Sequence, residues 1–201
     1  MKNKDLFKIG ESIADNYIKE YVYPFEVLSH IENIIINIGN SLGDDYLKLD
    51  NNIWISKTVE IPSTATIKGP CIIDHHAEIR PGAFIRGKVI VGKNSVLGNS
   101  CEMKNAILYD NVQVPHFNYV GDSILGNFSH MGAGSITSNV KSNKTNVVIK
   151  GEENLETNLR KVGAFLGDYV EIGCNTVLNP GTIIGCNTIV YPLTMVRGVI
   201  K

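Results

Sequence analysis

Two basic residues, Arg86 and Lys104, lie 18 positions apart in a stretch whose apolar residues repeat every six positions. If three six-residue strands make one coil, residues 18 apart stack on the same face, so these cations lie one above the other. Like charges held about 5 Å apart, the spacing of neighbouring strands, repel unless an anion sits between them. The pair predicts a phosphate or carboxylate site. The alternatives are pairing with Glu102 or two cations splayed into solvent.

His116 stands where counting by sixes fails. Six positions after Pro115 comes Gly121 rather than an aliphatic residue, and the pattern resumes at Leu125. Histidine is the side chain most readily poised as a general base near neutral pH. We therefore predict that a break at Pro115–His116 presents His116 at a corner as a candidate base. A packed or solvated histidine without a catalytic role is the alternative.

The other histidines and the cysteines point less clearly to chemistry. The adjacent His75 and His76 would need a third ligand to form a three-histidine metal site, so we expect no metal. The four cysteines are widely spaced and none forms a CxxC pair. Cys71 and Cys101 fall in the series of small residues described below, which predicts buried thiols rather than a disulfide.

A ladder of apolar residues must position these side chains. A period of six fits neither an amphipathic helix nor a plain hairpin meander. It is typical of a coil of short strands in which one large apolar residue per strand points inward. The ladder consists of Ile55, Ile61, Ile67, Ile73, Ile79, Ile85, Val91, Leu97, Met103, Tyr109 and Pro115, and it returns as Leu166, Ile172, Leu178, Ile184, Val190 and Val196. Mostly small residues follow four positions later, from Val59 to Ile107. The sequence predicts a mainly β fold, a parallel β-helix of hexapeptide repeats over residues 51–201.

Two segments lack the repeat. Residues 1–50 are predicted to form a small N-terminal helical segment, in which Pro24 begins a helix. Its apolar stripe would pack on the prism or on a neighbouring subunit, and it contains Leu28, Ile31, Ile34, Ile35, Ile38 and Leu42. Residues 138–161 are polar and rich in asparagine. We expect them to form a loop extruded from the helix, and long insertions of this kind are usually functional.

The bulk composition restricts the possible partners. The hydrophobic fraction is 43% and the formal net charge is −1, so nothing indicates binding to nucleic acid or to an anionic membrane surface. The first residues do not resemble a signal peptide, and no stretch approaches the roughly 18 apolar residues typical of a membrane span. We expect a cytoplasmic protein.

The segment CEMKNAILYDNVQVPHFNYVGDSILGNFSHMGAGSITSN resembles the left-handed β-helix domain of bifunctional sugar-1-phosphate nucleotidylyltransferase/acetyltransferases. These include the bacterial glucosamine-1-phosphate acetyltransferase/uridyltransferase and its archaeal relatives. Four motifs appear in order, namely E-M-K, H-x-x-Y-x-G-D, G-A-G-[ST]-I and K-x-G-A-F-x-G. They occupy residues 102–104, 116–122, 132–136 and 161–167. The resemblance covers about residues 50–200.

The resemblance implies an acetyl-CoA-dependent N-acetyltransferase. His116 would be the general base that takes a proton from the amine of an amino sugar 1-phosphate. Tyr119 and Asn139 match positions that orient the sugar and the amine. Positions matching the sugar-phosphate contacts are Arg86, Lys104 and Lys144, and His130 stands where the bacterial enzymes have an asparagine lining the sugar pocket. Positions matching the CoA contacts, largely through the backbone, are Ala133, Cys174 and Pro192. The family assembles as a homotrimer with sites between adjacent prisms.

The sequence leaves other functions open. Residues 1–50 are too short for a nucleotide-binding α/β domain and hold no glycine-rich phosphate loop, so we expect no nucleotidyl transfer from this chain. The acceptor is open between an amine and a sugar hydroxyl. A non-catalytic trimeric scaffold that partners a separate nucleotidyltransferase is the alternative from another class.

Overall fold

The computed structural model describes residues 1–8, 10 and 12–201. Within them, short helices precede a solenoid of short strands. The helices are α1 (Asn3–Leu6), α2 (Asp15–Ile18), α3 (Pro24–Val27) and α4 (Ile31–Ser41). The strands are β1 (Tyr46–Leu49), β2 (Ile53–Ser56), β3 (Thr66–Ile67), β4 (Cys71–Ile73), β5 (Glu78–Ile79), β6 (Phe84–Ile85), β7 (Val89–Val91), β8 (Val96–Asn99), β9 (Glu102–Leu108), β10 (Gln113–His116), β11 (Tyr119–Leu125), β12 (His130–Met131), β13 (Ile136–Thr137), β14 (Val148–Ile149), β15 (Leu155–Glu156), β16 (Ala164–Leu166), β17 (Glu171–Ile172), β18 (Val177–Leu178), β19 (Thr182–Ile184), β20 (Ile189–Val190), β21 (Met195–Val196) and β22 (Val199–Ile200). No helix in these residues has the length and apolar content that crossing a bilayer requires.

The solenoid is a left-handed parallel β-helix with three faces, which confirms the predicted fold class. The first face holds β3, β6, β13, β18, β21 and the first halves of β9 and β11. The second face holds β2, β4, β7, β16, β19, β22 and the second halves of β9 and β11. The third face holds β5, β8, β10, β12, β17 and β20. Each coil passes from the first face through the first corner, the second face, the second corner, the third face and the third corner.

The predicted inward ladder is correct as far as Met103, and its last two members are wrong. In the next coil, Leu108 pairs with the preceding rung of the second face, and Val114 pairs with that of the third face. Both side chains are fully buried. Tyr109 and Pro115 therefore lie one position beyond the inward rung.

The predicted break at Pro115–His116 is also wrong. The inward rungs shorten from six residues to five between Met103 and Leu108, and again between Val120 and Leu125. Both short steps lie at the first corner, where β9 and β11 run on from the first face to the second. The two coils are therefore 17 residues long, and the third corner that carries His116 is regular.

The N-terminal segment covers the second face. Helix α4 packs against β4, β7 and β9. The outward side chains beneath the segment are apolar and fully buried, namely Ile72, Ile90, Ile107, Ile124, Phe165 and Ile183. Burying each side chain of this kind contributes about 1.5–3 kcal/mol. The cover therefore adds a second apolar layer outside the solenoid core.

The N-terminal segment is less helical than the sequence predicts. The helix expected from Pro24 is interrupted, because α3 ends at Val27 and α4 begins at Ile31. Before it, Phe7 stacks on Tyr109 with ring centroids 5.0 Å apart. The segment ends in β1, which pairs antiparallel with β2. The hydrophobic core is continuous between this segment and the solenoid, and the division at residue 50 stays a prediction.

Residues 138–161 leave the solenoid at the first corner and are more ordered than their polar composition indicates. Strands β14 and β15 form an antiparallel pair, and an isolated bridge joins Val140 to Lys161 at the base. Val147 and Ile149 are fully buried. We call residues 138–161 the insertion.

The packing of α4 generates a prediction for Gly39. A Cβ atom at this position would overlap the buried Trp54 ring. We expect Gly39→Ala to reduce the free energy of unfolding by about 1–3 kcal/mol through overpacking, although alanine favours a helix by about 1 kcal/mol. Urea denaturation measures the change. Gly43→Ala is the matched control because nothing lies within 4 Å of its added methyl group, and a Gly39→Ala variant as stable as the parent would contradict this packing.

Candidate functional site

His116 ends β10 at the third corner and its side chain is exposed. The corner is fixed by the buried Asn118 side chain, whose amide nitrogen donates to the carbonyl oxygens of Gly132 at 2.8 Å and Ser135 at 3.1 Å. The Asn118 Oδ1 atom accepts the His116 backbone N–H at 3.1 Å. The backbone of His116 is therefore held rigidly while its imidazole faces solvent.

Four of the predicted site residues form one column at the third corner. The Gly134 N–H donates to the His116 carbonyl at 3.0 Å, the Asn175 N–H to Ala133 at 2.9 Å and the Leu193 N–H to Cys174 at 2.9 Å. These bonds stack four residues in successive coils, and we call them the corner column: His116, Ala133, Cys174 and Pro192. The structure thus brings the candidate base into line with all three predicted CoA contacts.

Tyr119 and Asn139 meet in a hydrogen-bonded network beside the column. The Asn139 amide nitrogen donates to the Tyr119 hydroxyl at 3.1 Å and to Asp122 Oδ2 at 2.5 Å. The Asn105 amide donates to Asp122 Oδ1 at 2.8 Å. Partial burial raises the pKa of Tyr119, and the Asn139 hydrogen bond offsets part of that rise. Tyr119 therefore remains a neutral phenol near neutral pH.

The two cations at the first corner are stacked as predicted but play different parts. The Arg86 N–H donates to the Met103 carbonyl at 2.9 Å, which places Arg86 over Lys104. The Arg86 guanidinium also lies 2.6 Å from Glu102 Oε1. This is the pairing alternative raised by the sequence. Lys104 makes no ion pair with any described residue.

Lys104 lines a cleft of about 540 Å³ at the first corner, which we call the upper cleft. Its walls come from the solenoid, the α3–α4 turn and the returning end of the insertion. The basic residues that line it are Lys88, Lys104, Arg160 and Lys161, and the other lining residues are Leu28, Ser29, Asn105, Asp122, Val140 and Leu159. Lys88 Nζ pairs with Glu32 at 2.6 Å, so three cations without an ion-pair partner among the described residues share the cleft with the Asp122 carboxylate. This balance of charge suits an anion.

Lys144 and His130 lie away from the upper cleft. Lys144 is exposed on the insertion and does not line this cleft. His130 Nδ1 lies 2.9 Å from Glu171 Oε2. It lines a pocket of about 260 Å³ with Cys174 and Pro192. The structure therefore groups His130 with two predicted CoA contacts rather than with the stacked cations.

The sequence-based prediction missed Lys88, Arg160, Lys161 and Asp122. Lys161 is the first residue of the K-x-G-A-F-x-G motif and Asp122 is the last residue of H-x-x-Y-x-G-D. Their place in these motifs was a signal that could have identified both as candidate site residues. Asp122 has a φ of 50°, a left-handed conformation that aspartate and asparagine adopt more readily than most residues. The four missed residues meet in one cleft because the insertion folds back onto the solenoid. The spacing of residues in the sequence does not predict how the insertion folds.

The arrangement combines a proton acceptor with an anion site. Tyr119 and Asp122 follow His116 along the chain, and Asn139 joins their side chains by hydrogen bonds at the edge of the upper cleft, which Asp122 lines. Among the described residues, no three His, Cys, Asp or Glu side chains converge as a metal site would require. The geometry suits a reaction that moves a proton beside a bound anionic group.

Comparison with known proteins gives several matches. A family model described as the GMPPB C-terminal domain matches residues 66–200, more than half of this chain. A Methanococcus maripaludis (strain C5) protein named bifunctional protein GlmU is 32% identical over 190 residues, covering 90% of this chain and 46% of that protein. A Sulfurisphaera tokodaii protein named bifunctional sugar-1-phosphate nucleotidylyltransferase/acetyltransferase is 31% identical over 158 residues, covering 77% of this chain and 39% of that protein. This chain thus spans less than half the length of either relative.

A solved structure of the acetyltransferase domain of PglB from Neisseria gonorrhoeae, in complex with acetyl coenzyme A, is also similar. It has a TM-score of 0.32 and 14% sequence identity, covering 78% of this chain and 58% of that one. A likeness of this size says nothing about the chemistry of this chain.

The Asp122 network generates a prediction. We expect Asp122→Asn to lower the free energy of unfolding by about 1–3 kcal/mol, because the new amide group cannot accept from Asn105 and Asn139 at both of its ends. Chemical denaturation measures the loss. Asp44→Asn, at an exposed aspartate outside the network, should change stability by less than about 0.5 kcal/mol. Equal stability of the two variants would show that the network does not hold the insertion.

Proposed function

Because this chain belongs to the GMPPB C-terminal domain family, we propose that it transfers an acetyl group from acetyl-CoA to the amine of an amino sugar phosphate. The names of its relatives support this activity, since the Sulfurisphaera tokodaii protein is named as both a sugar-1-phosphate nucleotidylyltransferase and an acetyltransferase. The observation that carries the proposal is that the exposed His116 imidazole lies three residues before Tyr119, whose hydroxyl belongs to the hydrogen-bonded network with Asn139 and Asp122 beside a cation-lined cleft.

His116 acts as the general base in the proposed reaction. An ammonium group has no free electron pair, so the acceptor amine must first release one proton to solvent to become a nucleophile. The amine nitrogen attacks the thioester carbonyl, forms the C–N bond and passes a proton to His116. The C–S bond then breaks, and the protonated His116 returns a proton to the departing CoA sulfur. The products are an amide and a free thiol.

Tyr119 and Asn139 orient the acceptor. The Asn139 amide is fixed by Asp122, and it holds the Tyr119 hydroxyl in turn. A rigid network of this kind positions a substrate without reorganising during the reaction. The neutral Tyr119 phenol can donate its proton to a sugar oxygen.

The upper cleft receives the phosphate of the acceptor. Lys104, Arg160 and Lys161 supply donors from two different parts of the chain. Arg86 forms an ion pair with Glu102 beside Lys104. Its guanidinium is therefore engaged by a carboxylate, and we do not assign it to the phosphate. We assign the role of phosphate ligand from the insertion to Lys161 rather than to Lys144, because Lys161 shares the cleft with Lys104.

The corner column receives the acetyl-CoA donor. His116 is the first member of the column, and Ala133, Cys174 and Pro192 continue it toward the C-terminal end of the solenoid. Small side chains in three of the four positions leave the backbone accessible. Between the column and the first corner, the first face exposes Ile136, Val177 and Met195. This apolar strip supports a homotrimer in which a neighbouring prism closes the site.

The general-base role generates a prediction for His116. We expect His116→Asn to reduce kcat for acetyl transfer by about 10²–10⁴-fold, the usual contribution of a positioned base. Release of the CoA thiol, measured with a panel of amino sugar phosphates, reports the rate. His76→Asn is the matched control because His76 is exposed and lies outside the site. An undiminished His116→Asn variant would refute this role, and turnover with hydroxyl acceptors alone would move the reaction to an ester product.

The phosphate assignment generates a separate prediction. We expect Lys104→Ala and Lys161→Ala each to raise KM about tenfold for glucosamine 1-phosphate, since a charge-assisted hydrogen bond contributes about 1.5–3 kcal/mol. KM for glucosamine, which lacks the phosphate, should not change. Lys57→Ala serves as a control because Lys57 is exposed and lines neither this cleft nor the column. An equal change in KM for both acceptors would show that these lysines do not bind the phosphate group.

A further inference from the structure

A second cation-lined cleft of about 480 Å³ lies on the opposite side of the insertion, and we call it the lower cleft. Val140, at the base of the insertion, lines both clefts. The basic residues of the lower cleft are Lys141, Lys150 and Arg197. Its other lining residues are Ser138, Val140, Ser142, Asn143, Val148, Asn179, Pro180, Met195 and Gly198. No carboxylate is among them.

The backbone holds the cations of the lower cleft close to one another. The Val199 N–H donates to the Lys150 carbonyl at 2.9 Å, which ties Lys150 beside Arg197 and Gly198. Lys141 Nζ donates to Thr145 Oγ1 at 2.7 Å, which fixes the lysine on the insertion.

Neither Lys150 nor Arg197 has an ion-pair partner in the described part of the chain. Nearby, Lys201 Nζ does pair with Glu152 at 2.6 Å. Unpaired like charges converging on one cleft are expected where an anionic ligand completes the site.

The lower cleft lies in the same coils as the corner column. Ser138, Asn179 and Arg197 each come five positions after a member of the column. The pairs are Ala133 with Ser138, Cys174 with Asn179 and Pro192 with Arg197. The exposed apolar strip lies between the corner column and this row of cleft residues. It consists of Ile136, Val177 and Met195, which pair in register across three coils. A ligand lying along the column therefore reaches the cleft by crossing apolar surface.

We propose that the lower cleft binds the phosphate groups of a nucleotide, and that this nucleotide is the one carried by the acyl donor. The inference rests on the proposed function, in which the thioester lies at His116. Arg197 stands three coils further along the solenoid, which is about 14 Å along its axis at the strand spacing of 4.7–4.9 Å, and it lies at the opposite edge of the first face. An elongated donor spans that separation, with its thioester at one end and its nucleotide at the other. Hydroxyl and amide donors from Ser142, Asn143 and Asn179 complement the cations.

Donor analogues test this assignment in the full chain. We expect Lys150→Ala and Arg197→Ala each to raise KM for acetyl-CoA about tenfold, which equals 1.4 kcal/mol of binding free energy. S-acetylpantetheine lacks the nucleotide, so its KM should be the same in the variants and the parent. Acetyl-dephospho-CoA lacks only the 3′-phosphate, and comparing it with acetyl-CoA shows which phosphate the cleft reads. Lys57→Ala should leave the kinetics with every donor unchanged.

Calorimetry with CoA and with ADP separates the two possible sources of the nucleotide without relying on turnover. Weaker binding of both ligands to Arg197→Ala, together with competition between them, supports the donor as the source. Weaker binding of ADP alone, without competition, supports a nucleotide site but assigns it to a separate ligand. Unchanged binding of both ligands overturns the proposal. If no donor supports thiol release by the parent protein, the proposed function fails, and ADP binding alone then decides whether the lower cleft is a nucleotide site.

Discussion

The whole structure depends on one packing constraint: each inward aliphatic side chain must stack on the equivalent side chain of the next coil. Ile73 over Val91 and Ile85 over Met103 are two such rungs. The stacking keeps the strands in hydrogen-bonding register, and it leaves the corners to carry side chains that do not pack inside. Because parallel strands stack at about 4.8 Å, corner residues of successive coils form columns. His116 and Ala133 are neighbours for this reason, although they lie 17 residues apart.

The first corner is where the chain departs from a constant repeat. Two coils lose one residue there, and the next coil carries the insertion. The short steps let β9 and β11 run across the corner, which brings Asn105 and Asp122 together under Asn139. The insertion then separates two cation-lined clefts. The regular third corner, in contrast, supplies an even column of accessible backbone. The candidate site residues thus lie at one irregular and one regular edge of the same face.

The N-terminal segment gives the three faces different roles. It covers the second face, whose outward side chains are as apolar as its inward ones, from Ile72 to Ile183. That cover stabilises the prism on one side only. Leu28 and Ser29 of the same segment also line the upper cleft. The segment therefore links the stability of the solenoid to the shape of the upper cleft, while Ile136, Val177 and Met195 on the first face stay exposed.

The sequence alone determined the solenoid, because apolar residues repeating every six positions are all buried together when the chain coils into a β-helix of short strands. It also determined the stacking of Arg86 over Lys104, which follows from a spacing of 18 in an unshortened coil. It did not determine where the repeat breaks, since Tyr109 and Pro115 are apolar enough to extend the ladder falsely. Only the tertiary structure decided that Arg86 pairs with Glu102 while Lys104 faces Arg160 and Lys161. Side chains from distant segments meet through the folding of the insertion and the N-terminal cover, and such long-range packing leaves no periodic trace in a sequence.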